Sequence, residues 1–182
     1  MVKILDFGCG RNKVERLGAT VVGVDNDPGS KADVIHDLNN VPYPFKDNEF
    51  DEVVCMDVLE HLYDVPKTIN EIHRISKPGA IIKIRSPHFS SLYAAIDPTH
   101  IRPFSIFSFD CFCENKGIIP HNISVTLFRV KKRRISFPKL TRIIFAPLVA
   151  LFNKFPLRYE QYLAFCFQAE NIHLELEVIK QV

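Results

Sequence analysis

"ILDFGCGRNKVERLGATVVGVD" (residues 4–25) decides how the chain begins to fold. An apolar run meets Gly8-Cys9-Gly10, and a second apolar run ends on an acid, Asp25. This is the layout of two parallel strands joined at a nucleotide-cofactor loop. Glycines there let the backbone approach a ligand, and the acid holds a ribose. The third glycine of G-x-G-x-x-G is missing, because Lys13 stands in its place. From Gly8 to Thr20 the chain is close to the shortest parallel crossover, roughly 10–12 residues. Any helix is then a short one, near 13–18. With so little helix to pack, the third glycine loses its purpose, and a pyrophosphate seat on a helix N-terminus is weakened. A cofactor without phosphates loses little by the change. The plain alternative is a glycine turn that binds nothing.

Outward from this stretch, short apolar runs alternate with turn chemistry, the pattern of a parallel sheet buried on both faces. Strands are expected near 3–7, 20–24, 33–36, 51–56 and 80–85. A helix is expected over 66–75, with Asp64 as its cap, Pro66 in its first turn, and Ile69, Ile72 and Ile75 as one apolar stripe. "KPGA" (77–80) ends it. Beyond a long proline-broken loop, "SPHFSSLYAAIDPTHIRPF" (86–104), a helix is expected near 105–115, with strands at 122–130 and 171–180. Between those strands lies an apolar, aromatic, helical insertion at about 137–167, with a kink at Pro147. No repeat or linker divides the chain, so one domain over 1–182 is expected.

The totals narrow the function. The chain has 182 residues, 47% of them hydrophobic, which is enough for a sizeable core in one domain. A net charge of +2 gives no footprint for nucleic acid. Five scattered cysteines without C-x-x-C spacing suggest reduced thiols in a cytoplasmic setting. The longest apolar stretch, "IIFAPLVALF" (143–152), falls short of the ~20 residues that a membrane-spanning helix needs.

Further motifs follow in order: Asp37 in "IHDLN", "FDEVVCMDVLEHL" (50–62) and "RISKPGAIIKIRSP" (74–87). With the opening loop they closely resemble class I S-adenosylmethionine-dependent methyltransferases of the small-molecule, type 11-like kind, over about residues 3–90. The resemblance implies an α/β fold with a doubly wound, mostly parallel seven-stranded sheet of order 3-2-1-4-5-7-6, the last strand antiparallel. It implies S-adenosylmethionine as cofactor. Asp6, Gly8, Cys9 and Gly10 would wrap its methionine and ribose part, and Asp25, with Asn26 beside it, would take the ribose hydroxyls. Asp37 and Leu38 would flank the adenine, and Asp57 with Val58 would lie along the fourth-strand wall. Two features depart from the family: the replaced glycine, and the absence of the helices that precede the first strand. The charges suit a sulfonium cation, because Asp6, Asp25, Asp37, Asp57 and Glu60 fall at strand ends.

Methyl transfer is an in-line displacement, so positioning supplies most of the catalysis and a base is needed only when the nucleophile loses a proton. His61, His88, Asp97 and His100 are the candidates, and Arg102 suits a substrate carboxylate or phosphate. Each can equally be a residue that ties down its own loop. The spacing of His88, His100, His121, Cys111 and Cys113 fits no compact zinc pattern, so no metal is expected. "KKRR" (131–134) reads as a solvated strand end or a seat for an anionic partner. The 137–167 segment reads as core or homodimer packing, a lid over an apolar substrate, or contact with a membrane surface.

The expected function is methyl transfer to a small or medium-sized acceptor, apolar or anionic, through an O, N or C nucleophile. No nucleic-acid partner is expected, since no Asn-Pro-Pro-aromatic stretch follows the fourth strand. The alternatives are a non-catalytic module binding S-adenosylmethionine or S-adenosylhomocysteine, and an NAD-dependent oxidoreductase. The latter would want the missing glycine and a full helix.

Overall fold

A computed structural model describes residues 1–114 and 127–180. The five apolar runs become β1 (Val2–Phe7), β2 (Ala19–Asp25), β3 (Val34–Ile35), β4 (Phe50–Met56) and β5 (Ser76–Pro87). β6 (Phe128–Ile135) and β7 (Asn171–Val178) complete one sheet of order β3-β2-β1-β4-β5-β7-β6. β1 to β5 run parallel, and β7 lies antiparallel to both β5 and β6. Order and polarity are those expected.

Register separates the two faces of the sheet. Leu5, Val53, Ile82 and Leu176 form one cross-strand row, and Phe7, Cys55, Ile84 and Leu174 another. All eight side chains are buried. The row between them, Asp6, Val54, Lys83 and Glu175, faces the other way and is mostly polar. β1→β2 and β4→β5 step in opposite directions along the sheet, so right-handed crossovers place them on opposite faces.

On the apolar face the β4→β5 crossover is helix α1 (Val65–Ile75). The Asp64 carboxylate accepts the Lys67 N–H at 3.0 Å, and Pro66 lies in the first turn. Ile69, Ile72 and Ile75 are buried against the sheet, each contributing about 1.5–3 kcal/mol of burial.

The β1→β2 crossover, residues 8–18, carries no helix at all, which corrects the short helix expected over 13–18. Its backbone is held by strand acids instead. Asp6 accepts the Val14 N–H at 2.7 Å. Arg16 forks onto Glu52 at 2.7 and 2.9 Å, and Lys13 forks onto Asp33 at 2.9 Å on both oxygens.

The second half departs further. Of the helix expected at 105–115, residue 115 lies outside the described residues, and the rest is a run of turns ending in one 3-10 turn, Asp110–Phe112. Side chains hold these turns: Ser108 Oγ takes Ser105 N–H, Ser105 Oγ takes Phe107 N–H, and Glu160 takes Ile106 N–H. Of the strand expected at 122–130, residues 122–126 lie outside the described residues, and β6 runs on through 131–134. KKRR is therefore the edge strand itself, where Lys131, Lys132 and Arg133 pair with Glu177, Glu175 and Asp110. Charged edge strands resist pairing with other chains. The insertion is three short helices, α3 (Lys139–Ile144), α4 (Ala146–Lys154) and α5 (Pro156–Tyr162). The kink expected at Pro147 is a full break at Phe145. A further helix, α2 (Leu92–Ile96), forms inside the 86–104 loop.

Candidate active site

Glycine and acid chemistry build a cleft of about 320 Å³ at the carboxyl ends of β1, β2 and β4. It is lined by Gly8, Asp25, Asn26, Asp37, Leu38, Asn39, Asp57, Val58, His61 and Leu62. Seven of these are residues the sequence nominates for the cofactor. Gly8 has φ +74°, and a Cβ there would fall 2.5 Å from Val58 Cγ2, so only glycine fits against that wall. The other three nominees lie behind the cleft and shape it. Gly10 donates its N–H to Asp25 at 2.8 Å, Asp6 is buried on the Val14 N–H, and Cys9 is buried beside Gly23. Desolvation holds the Asp6 carboxyl above the usual range against the pull of that N–H, and burial raises the Cys9 thiol to about 11. A thiol so placed is inert.

A second cleft of about 450 Å³ opens beside the first, with Asp57 and His61 as common wall. Glu60, Arg85, Pro87, Tyr93, Ile96, Asp97, His100 and Asn171 complete it. Asp57 adopts φ +52° where β4 ends, and Arg85 grips its carboxylate through two nitrogens. A non-glycine residue held in that region is a local strain that clusters at functional sites.

His61 is oriented by a relay. Thr99 Oγ donates to Asp97 at 2.6 Å and lies 2.9 Å from His61 Nδ1. A hydroxyl has one proton, so His61 Nδ1–H must be the donor in the second bond. Nε2 is left with its lone pair. The Thr99 hydroxyl and backbone N–H hold Asp97 below the usual carboxylate range, keeping the relay's far end ionised. His100 packs its ring 4.7 Å from that of His61 and reaches the Ala94 carbonyl at 3.4 Å.

Two candidates turn away from the clefts. His88 is fully buried, with Nδ1 on Ser90 at 2.8 Å and Nε2 on Glu160 at 3.1 Å. It ties its loop to α5, which corrects its place among the candidate bases. Arg102 donates to the Tyr63 carbonyl at 2.6 Å and is likewise a loop tie.

Glu60, which is not among the candidate bases, also lines the second cleft. It is buried, with Oε2 accepting from Ser86 Oγ at 3.0 Å, and Oε1 has no hydrogen-bond partner among the described residues. Burial pushes its carboxyl up. In the sequence it is the acid directly before His61 in "LEHL". Glu60, His61 and His100 each bring one ligand-capable atom within 4.8 Å of the others, a spacing that could hold a cation.

Comparison with known proteins agrees with this geometry. A family model described as a methyltransferase domain matches residues 5–84. A probable S-adenosylmethionine-dependent methyltransferase of Mycolicibacterium smegmatis is 27% identical over 113 residues, covering 56% of this chain and 44% of that one. A ubiquinone biosynthesis O-methyltransferase of Pseudomonas aeruginosa is 29% identical over 120 residues, covering 54% and 51%. The chain spans about half the length, or less, of such relatives. In fold, a methyltransferase structure from Archaeoglobus fulgidus overlays with a TM-score of 0.67 at 22% identity, covering 97% and 86%. Over residues 5–84, then, the chain matches a methyltransferase-domain family model, and it is similar in sequence to S-adenosylmethionine-dependent methyltransferases and in fold to a solved one.

Proposed function

We propose that this chain transfers a methyl group from S-adenosylmethionine to a small or medium-sized acceptor, with donor in the first cleft and acceptor in the second. One observation carries the reading: the clefts share Asp57 and His61, so their occupants meet there. The first cleft fits the cofactor. Asp25, Asp37 and Asp57 line it, and among the described residues Asp57 is the one of these matched by a guanidinium, which leaves a field suited to a cation. Asp25 accepts one N–H on each oxygen, from Gly10 and Asp27, and keeps lone pairs for ribose hydroxyls. Asp37 and Leu38 would flank the adenine, Asn26 would lie beside the ribose, and Gly8 leaves room against Val58. When bound, the cofactor supplies a methyl group on a good leaving group.

His61 does the chain's chemistry. Its Nε2, aimed by Asp97 through Thr99, takes a proton from a nucleophile that must lose one. His100 packs against it and lines the acceptor side. Tyr93 and Ile96 give that side an exposed apolar rim, which suits an acceptor with an apolar body. An oxygen nucleophile is the class we favour, supported by the Pseudomonas relative's name.

Calorimetry with S-adenosylhomocysteine and with NAD tests the cofactor. Binding of the first and none of the second is expected, and the reverse would overturn the reading. Asp25→Ala should abolish binding while His88→Ala spares it. For the base, His61→Ala should leave S-adenosylhomocysteine affinity nearly unchanged. It should cut turnover roughly 10²–10⁴-fold, followed by S-adenosylhomocysteine release on a panel of phenols and amines. Unchanged turnover would remove His61 from the mechanism.

A further inference from the structure

No described helix is long and apolar enough to cross a membrane, yet one region of the surface is strongly apolar. α3 exposes Leu140 at 69%, Ile143 at 65% and Ile144 at 59%, and the chain after α5 exposes Phe165 at 77%. Phe145, Leu151, Phe155 and Tyr162 of the same segment are exposed as well. Apolar patches of this kind mark a partner or a lipid surface. The insertion is nonetheless well anchored. Phe137, Phe152 and Tyr159 are buried under it, with the Phe152 and Tyr159 rings 4.7 Å apart. Asn153 bonds both the N–H and the carbonyl of Ile135 at the sheet edge. These helices are a rigid platform whose outer side was left apolar.

Charge selects the partner. The ionisable groups of 137–167 with ordinary charge at neutral pH are Lys139, Arg142, Lys154, Arg158 and Glu160. All four cations are exposed. The one acid is turned inward, onto His88, Ser105 and the Ile106 N–H. A second copy of the chain laid on this face would bring cation against cation. An anionic bilayer offers apolar depth for the Leu, Ile and Phe side chains and phosphates for the Lys and Arg heads. KKRR adds little, because three of its four charges are already paired.

We propose that residues 137–167 seat the protein on the surface of an anionic lipid bilayer, lying in the interface without crossing it. The same helices brace the acceptor side. Glu160 holds the loop after Pro87, and the Phe165 ring is 5.7 Å from that of Phe89. A bilayer-seated platform therefore sets the second cleft beside the lipid, where an apolar acceptor would be found. This last step rests on the methyltransferase reading; the seating does not.

Flotation of the full chain with phosphatidylglycerol vesicles, without cofactor, tests the seating. Binding to phosphatidylglycerol and far weaker binding to phosphatidylcholine are expected. Lys139→Glu with Arg142→Glu should weaken phosphatidylglycerol partition by about 30-fold or more, and Leu140→Ser with Ile144→Ser should reduce binding to both lipids. All four sites are exposed, so the variants should keep the parent's circular dichroism and S-adenosylhomocysteine affinity. A chain that ignores both vesicles overturns the proposal. So does a dimer, seen by light scattering, that the Leu140/Ile144 variant dissociates while vesicle binding stays absent. Vesicle failure with intact S-adenosylhomocysteine binding would leave the methyl-transfer reading standing.

Discussion

The two crossovers beside β1 and β4 solve one problem in opposite ways. α1 satisfies its own backbone hydrogen bonds and spends its side chains on the core, burying Ile69, Ile72 and Ile75. Residues 8–18 have no such ladder, so acids of the strands and of the turn before β3 hold them: Asp6 takes Val14, Asp25 takes Gly10, Asp33 takes Lys13, and Glu52 takes Arg16. The acids along the first cleft are thus of two kinds. Asp25 shapes the loop and also faces the cleft, whereas Asp6 only shapes it. The sheet row that faces away from α1, Asp6, Val54, Lys83 and Glu175, is correspondingly mostly polar.

The sharpest break of this contrast is Ile72→Ala in α1. It removes a fully buried side chain and should cost about 2–5 kcal/mol of stability. S-adenosylhomocysteine affinity at a temperature where the protein is folded should be unchanged. A stability loss below 1 kcal/mol in denaturant unfolding would mean that α1 is not the main support of its face. Next comes Gly8→Ala in the helixless crossover. The left-handed backbone costs about 1–2 kcal/mol, and the new methyl must displace Val58. Here stability should fall modestly and S-adenosylhomocysteine binding by tenfold or more. Equal binding in the two variants would erase the distinction between the crossovers.

The same contrast explains what the sequence revealed. Strands, α1 and its cap were legible because apolar period and capping chemistry are local. Sheet order came from the motif likeness, and it held. The absent helix at 13–18 was half legible: the shortness of the crossover showed, but the long-range acceptors Asp33 and Glu52 did not. The turns that stand where a helix was expected at 105–115 are tied down by Glu160, distant in the chain, through Ser105 and the Ile106 N–H, and a local pattern does not show that partner. The loop histidines were named together, yet only partners far apart in sequence separate them. Thr99 and Asp97 point His61 at the clefts, while Glu160 locks His88 away.

Glu60 offers a third test, because no N–H was lent to its Oε1. Burial raises its folded pKa above the unfolded value, with Asp57 adding to the shift against its own N–H, Ser86 and His61. The stability tied to a raised acid is fully present below the unfolded pKa and is lost as pH rises through the folded one. Glu60→Gln does not ionise, so its thermal midpoint should gain on the parent as pH climbs from 4 to 8. The gap should reach about 1–2 kcal/mol. A gap that is flat with pH would mean that its surroundings do not raise the Glu60 pKa.

The smallest effect is expected at Lys13, the residue that replaced the third glycine. Its side chain passes over Gly23, where an added Cβ would come within 2.7 Å of Lys13 Cδ, and ends on both oxygens of Asp33. Lys13→Met keeps the covering chain and removes only the charge. The pair is partly exposed, so about 0.2–1 kcal/mol is at stake. Asp33 is held low first by the Gly23 N–H and then by Lys13, so the variant's Asp33 pKa should rise without returning to normal. A depressed acid contributes stability above its unfolded pKa and loses it as pH falls through the folded one. Parent and Lys13→Met should therefore differ at neutral pH and converge in acid, below about pH 3. Amide exchange should quicken at Gly23 and Val14 and stay unchanged in α1. If exchange in α1 rose equally, the two crossovers would be one cooperative unit, and the loop's independence from the helix-bearing face would be lost.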